Sequence, residues 1–133
     1  MMPRQETLQI RSGEQMVSVR QVVRAKAEEL KFSLVDQTRI VTAASELARN
    51  TLQHGGGGSM TIEVVENGTR RGLRLTFKDE GRGIPDIELA MKDGYTTSNG
   101  LGLGLSGSRR LVNEFSISSH PGAGTEVSIT KWK

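Results

Sequence analysis

Three groups of residues carry chemistry in this chain, and they follow one another in a fixed order: Glu46 with Asn50, then Asp79-Glu80-Gly81-Arg82-Gly83, then Gly100-Leu101-Gly102-Leu103-Gly104. Glu46 and Asn50 are four residues apart, so on a helix they stand one above the other and can share a ligand. An amide oxygen is a hard donor that suits Mg²⁺, which takes few protein ligands and fills its shell from water and phosphate. A carboxylate one turn away can take a proton from an attacking hydroxyl or water. Taken alone, such a pair is commonly a solvated helix face. His54 extends that face and reads as a helix-end cation or hydrogen-bond partner.

Asp79 closes an apolar strand pattern and is followed by Gly81 and Gly83, which let the backbone turn and a flat ring come close. An ionised carboxylate only accepts hydrogen bonds. It therefore favours adenine, which offers an amino group, over guanine, which presents a carbonyl at that position. The plainer reading is an aspartate capping a strand-to-loop turn. Gly100, Gly102 and Gly104 lead into a helix that includes Leu105, and free N–H groups and the dipole at a helix start favour phosphate. No Lys-Ser or Lys-Thr pair follows these glycines, so this is not a Walker loop, and the acidic residue of a dinucleotide fold is also missing. Each group has an ordinary explanation. All three occurring in order within one chain point to a nucleotide pocket with Glu46 as base, Asn50 as metal ligand, Asp79 as base acceptor and the glycines as phosphate cradle.

The elements that must hold these residues are legible in the apolar pattern. Leu8 and Ile10 alternate as in a short strand. Val19, Val22, Val23, Ala27 and Leu30 form one stripe of a helix over about 14–30. Ser33 with Asp36 resembles a capping box opening a second helix to about residue 54, with Gly55 as its C′ stop. Met60, Ile62 and Val64, then Leu73, Leu75 and Phe77, alternate on either side of Asn67-Gly68, a hairpin signal. By parity Asp79 points to the core side with Phe77. Pro85 opens a short helix to about residue 91, and 92–99 is a polar segment placed to act as a lid. A further helix shows Leu101, Leu105, Ser108 and Val112 on one face. Phe115 and Ile117 pair with Thr125, Val127 and Ile129 across Pro121-Gly122-Ala123-Gly124, which turns Thr125 the same way as Val127. This order predicts an α+β fold: a two-layer sandwich of a mostly antiparallel, mixed sheet with helices on one face.

A length of 133 residues suits one domain, 1–133, able to bury a core without staples. The net charge of +3 comes from intermixed signs, so no nucleic-acid partner is implied. With no cysteine and only two histidines, thiolate and histidine zinc sites are disfavoured. No signal-type or membrane-spanning apolar run occurs, which suggests a cytoplasmic protein with no membrane partner.

The motifs resemble those of the GHKL ATPases and their Bergerat ATP-binding fold. Ser45-Glu46-Leu47-Ala48-Arg49-Asn50 resembles the N box, Asp79 to Gly83 the G1 box, Gly100 to Leu105 the G2 box, and Gly122 to Thr125 the terminal glycine-threonine motif. The resemblance implies ATP and Mg²⁺ as cofactors, with Asn50 on the metal, Asp79 on adenine, Gly102 and Gly104 on phosphate and Glu46 as base; Gly81, Gly83, Gly100, Leu105 and Thr125 complete the expected binding set. The runs Val19-Arg20-Gln21, 32–40, 42–50 and Asp93 to Ser98 are similar to anti-sigma-factor serine/threonine kinases, in particular the switch kinases of stressosome signalling. Such proteins phosphorylate a serine of a STAS-domain antagonist and, once released, engage a PP2C-type phosphatase or a sigma factor. Ser98-Asn99 stand where sigma-factor-binding relatives commonly have an arginine, which leaves Arg82, Lys92 and Arg109 as candidate phosphate cations. His54 and Gly55 stand where a larger residue and an alanine are usual. The expected function is thus an ATP-dependent protein serine/threonine kinase; the alternative is a nucleotide-gated binding module with little catalysis.

Overall fold

The computed structural model describes residues 5–81, 105–119 and 122–133. Its elements run β1 (Gln5–Ile10), α1 (Gly13–Glu29), α2 (Leu34–Gln53), β2 (Gly58–Asn67), β3 (Arg70–Asp79), α3 (Leu105–Leu111), β4 (Glu114–Ser119) and β5 (Thr125–Trp132). The strands form one sheet in the order β1-β2-β3-β5-β4. All four pairings among the described residues are antiparallel, in keeping with the mostly antiparallel sheet expected; no parallel pairing occurs among them. The short helix expected from Pro85, the lid expected at 92–99, and the glycine positions 83, 100, 102 and 104 lie outside the described residues.

Alternation sorts the two faces of the sheet. Met60, Ile62, Leu73, Leu75, Phe77, Val127 and Ile129 are buried under the helices, against Val19, Val23 and Ala27 of α1 and Ile40, Ala44 and Leu47 of α2 in one continuous core. The opposite face is polar, as the outer side of a two-layer fold must be. There the strand register lines up Thr7, Thr61, Thr76, Ser128 and Ser116 in one row across all five strands, with Thr7 and Thr61 hydroxyls 3.0 Å apart and Thr76 and Ser128 3.4 Å apart. Among the described residues no helix is long and apolar enough to cross a membrane.

Local chemistry sets the ends of the elements. Ser12 and Ser33 cap the two long helices, accepting from the N–H groups of Gln15 and Asp36. The β2–β3 turn is centred one residue later than Asn67-Gly68 suggests: Asn67 pairs with Arg70, leaving Gly68 (φ 64°) and Thr69 as the two loop residues. Gly68 thus takes the first central position, where a hairpin turn of the II′ kind wants glycine. The end of α2 also departs from expectation. His54 is the C-cap, and the left-handed backbone falls on Gly56 and Gly57 and not on Gly55.

Asp36 does more than begin α2. Its carboxylate lies 3.5 Å from Nζ of Lys131, whose side chain is only 7% exposed, and 3.8 Å from a guanidinium nitrogen of Arg39. This pair ties the last strand to the first turn of α2. Asp36→Ala would strand the Lys131 ammonium, and because Asp36 is itself partly solvated the expected loss is about 2–3 kcal/mol, below the full cost of breaking a buried pair. Urea denaturation measures it. Adding Lys131→Met should recover most of the loss, and an unchanged midpoint in Asp36→Ala alone would show the pair to be neutral.

Candidate nucleotide-binding site

One end of the sheet and the last turns of α2 enclose a cleft. Leu47, Asn50, Thr51, His54 and Gly55 line it from α2 and the residues just after, Phe77 and Asp79 from β3, Leu105 from α3, and Thr125 and Val127 from β5. Leu47, Asn50, Thr51 and His54 are spaced i, i+3, i+4 and i+7, the single stripe that a helix turns to one side. Phe77 with Asp79 and Thr125 with Val127 are the matching strand pairs, two residues apart on one face. Asp79 and Thr125 face each other directly in the β3–β5 register.

Asp79 is fixed in the cleft by backbone contacts. Its Oδ1 accepts the N–H of Gly81 at 2.9 Å. Burial raises its pKa from 3.8, while hydrogen bonds with the backbone of Gly81 and Thr125 pull it the other way. The surrounding backbone comes unusually close. A β-carbon built on Gly124, whose φ is 85°, would lie 2.2 Å from the carbonyl oxygen of Asp79. Glycine is required there twice, by conformation and by space. On the other side, Thr125 Oγ1 lies 2.8 Å from the hydroxyl of Ser119, the two oxygens sharing a hydrogen bond.

Asn50, Asp79, Leu105 and Thr125, all expected from the sequence, therefore converge on one cleft, and Gly81 touches Asp79 directly. Leu105 is 2% exposed and forms part of the apolar floor. Glu46 stands one turn before Asn50 on α2 and is not among the lining residues. Its carboxylate is held by the Arg49 guanidinium in an i, i+3 ion pair. Arg109 sits exposed on α3, away from the lining, whereas Arg82 and Lys92 lie outside the described residues. The motifs do not single out Leu47, Thr51, Phe77 or Val127 as pocket residues, and they leave His54 as a helix end. The helical spacing from Asn50 and the strand parity from Asp79 are the signals that find them.

Comparison with known proteins agrees with this geometry. Residues 35–133 match the family "Histidine kinase-, DNA gyrase B-, and HSP90-like ATPase". The chain is 47% identical over 128 residues to the serine/threonine-protein kinase RsbT of Bacillus subtilis, covering 96% of each chain. It is 34% identical over 119 residues to an anti-sigma F factor of a Thermoanaerobacter species, covering 85% of this chain and 82% of the other. Among solved structures, the RsbU and RsbW domains of Rv1364c from Mycobacterium tuberculosis align over 100% of this chain and 33% of that one, with TM-score 0.65 and 23% identity. The catalytic domain of the histidine kinase ThkA aligns over 95% of both chains with TM-score 0.55 and 18% identity; at these identities the two likenesses speak for the fold.

Proposed function

The chain belongs to the histidine kinase-, DNA gyrase B- and HSP90-like (GHKL) ATPases, among their serine/threonine-protein kinases and anti-sigma factors, and we propose that it is an ATP-dependent kinase that phosphorylates a serine of a STAS-domain antagonist. In this reading it is a single cytoplasmic domain that switches partners in stress or sigma-factor signalling, with a PP2C-type phosphatase or a sigma factor as the second partner. The observation that carries it is the convergence of Asn50 and Asp79 on one apolar cleft in a chain 47% identical to a serine/threonine kinase along nearly its whole length.

The residues present fit the nucleotide. An acceptor carboxylate stands at the end of an apolar slot walled by Leu47, Phe77, Leu105 and Val127, which suits a flat heterocycle bearing one amino group. Asp79 accepts from that amino group, Thr125 adds a hydroxyl beside it, and the apolar walls exclude water. Asn50 would hold Mg²⁺ through its amide oxygen, and the ion when bound would neutralise phosphate charge and align the transferred group. Glu46, one turn along α2 and steadied by Arg49, orients the partner's serine hydroxyl and takes its proton. Gly83, Gly100, Gly102 and Gly104 are assigned to the close approach of base and phosphates.

The test is phosphoryl transfer. Purified protein incubated with STAS-domain proteins and γ-labelled ATP should place label on a serine of one of them. No transferred label, with ATP bound, would remove the kinase assignment. A second reading, a nucleotide-gated binding module with little catalysis, draws on the anti-sigma F factors among the relatives and on the engagement of Glu46 by Arg49. It requires Glu46→Ala to preserve signalling while Asp79→Ala abolishes it.

A further inference from the structure

Positive charge gathers at the end of the sheet farthest from the cleft. There Lys31, Arg70, Arg71 and Lys133 line a hollow of about 600 Å³ in which the one acid is Glu29, and all four cations are exposed. Glu29 is already engaged by Lys26 at 3.8 Å. Arg71 comes no nearer than 4.0 Å to Glu66, with both side chains largely in solvent, a contact that contributes little. Arg70 rests over the Trp132 ring, 5.8 Å from its centroid. Among the described residues neither Arg70 nor Lys31 nor Lys133 makes an ion pair. A helix C-terminus favours a cation, but Lys26 already stands in the last turn of α1, and Arg70, Arg71 and Lys133 come from the sheet.

Lys31 is held in this hollow at a conformational cost. α1 ends in a Schellman motif, in which the N–H of Phe32 donates to the carbonyl of Ala27 and the N–H of Lys31 to that of Glu28, both at 2.9 Å. The residue after the C-cap of such a motif takes left-handed backbone and is usually glycine. Lys31 takes it at φ 64°, alone among the described non-glycine residues. A long cationic side chain kept where glycine fits better points to a use for the charge. Three and four residues further on, at the start of α2, Leu34 and Val35 are 76% and 59% exposed.

We propose that this end of the molecule is a docking surface for an acidic, amphipathic segment of a partner protein, whose carboxylates enter the hollow while its apolar side chains cover Leu34 and Val35. Charge complementarity selects the acid, and a concave site suits a chain segment better than a flat membrane. The aliphatic neighbours speak against nucleic acid, whose phosphates have nothing to place on them. Nor does Trp132 offer a free face edge for a base, since it lies beneath Arg70 and donates its Nε1–H to Glu114 at 2.6 Å. The cleft is at the other end of β3, which runs from Arg70 to Asp79 and so separates the two sites by roughly 30 Å. A partner held here leaves the cleft open. The proposal goes beyond the kinase reading and does not rest on it.

Fluorescence anisotropy of a short labelled peptide, built from alternating pairs of Glu and Leu, tests this on the full chain. The peptide should bind wild type, and its affinity should fall by about tenfold or more in Lys31→Glu with Arg71→Glu. The same change of charge in Arg11→Glu with Arg24→Glu, two exposed residues that do not line the hollow, should alter it by less than about twofold. Lys31→Gly separates binding from folding. It should keep or raise the urea midpoint, because glycine suits left-handed backbone, and still weaken the peptide by about threefold. Exchanging the peptide's Leu for Ser should weaken it too, through Leu34 and Val35. A midpoint lowered by Lys31→Gly would show that the lysine serves the fold and overturns the proposal. Absence of peptide binding to wild type, equal losses in the two doubly reversed variants, or full affinity of the Ser peptide overturns it as well. Oligouridylate and phosphatidylglycerol vesicles are the competing probes: binding of either that Lys31→Glu with Arg71→Glu abolishes, while the peptide is unaffected, gives the surface to another class of partner and overturns the assignment.

Discussion

Asp79→Asn should weaken ATP binding by about a hundredfold or more while leaving the folded protein intact. The substitution is nearly isosteric, and its side-chain oxygen can still accept the Gly81 N–H that Oδ1 now takes at 2.9 Å. What changes is the rest of the group. An acceptor-only carboxylate becomes an amide whose NH₂ donates, and it would meet the amino group of adenine donor to donor. The same NH₂ can donate to the carbonyl of guanine, so the preference should move toward GTP. Binding isotherms for both nucleotides read this directly; undiminished ATP affinity in a folded Asp79→Asn protein would dismiss Asp79 as the base acceptor.

Charge at this position also fixes a pH dependence. Burial, the largest influence on Asp79, raises its pKa above 3.8 in the folded state. The folded protein therefore holds this proton more tightly than the unfolded chain does. The group's contribution to stability is complete below the ordinary carboxylate range and is lost as pH rises through the raised folded value. Adenine recognition runs the opposite way, because the ionised form is the better acceptor. ATP affinity should thus rise with pH across the window in which the apo protein loses Asp79's contribution to stability, and Asp79→Asn should remove both trends. At neutral pH the apo variant should be at least as stable as wild type. Burial of an ionised carboxylate costs stability, as groups at binding sites commonly do, and the proposed role of Asp79 in adenine recognition accounts for that cost.

Most of this arrangement is legible in the sequence, for physical reasons. The parity of a strand allows only two directions, so once Leu73, Leu75 and Phe77 belong to the core, Asp79 has to point the same way, and Val127 carries Thr125 with it. Helical spacing likewise puts Glu46 and Asn50 on one face. What the sequence leaves open is what periodicity does not encode. Gly55 looks like a helix stop because glycine after a helix usually supplies left-handed backbone; the left-handed backbone instead falls on Gly56 and Gly57, and Gly55 packs beside Asp79, twenty-four residues away, which no local pattern records. The hairpin turn slips by one because Asn67-Gly68 and Gly68-Thr69 both satisfy turn chemistry, and the register of Asn67 with Arg70 decides between them. The ion pair of Lys131 with Asp36 joins residues far apart in the chain and leaves no trace in the sequence.

Glu46→Gln should lower the rate of phosphoryl transfer to the partner serine by roughly 10²–10⁴-fold, the usual contribution of a positioned general base, with ATP affinity essentially unchanged. The two effects separate because Glu46 is off the lining of the cleft and Asn50 is on it. Glutamine keeps the length of the side chain and an oxygen that can still accept from Arg49, which now holds Glu46 in an i, i+3 pair; it loses the ability to take a proton. Single-turnover transfer measured beside equilibrium ATP binding distinguishes the outcomes. Asn50→Ala should behave differently, losing transfer together with the Mg²⁺ dependence of nucleotide affinity, the outcome that the proposed metal role of its amide oxygen requires. If Glu46→Gln transfers phosphate at the wild-type rate, proton abstraction by this carboxylate is not part of catalysis, and positioning for the loose, largely dissociative transition state of phosphoryl transfer must suffice. Where Glu46→Gln does slow transfer, Arg49→Met is the companion control: it should slow transfer as well if the pairing that steadies Glu46 is what aims the carboxylate at the incoming hydroxyl.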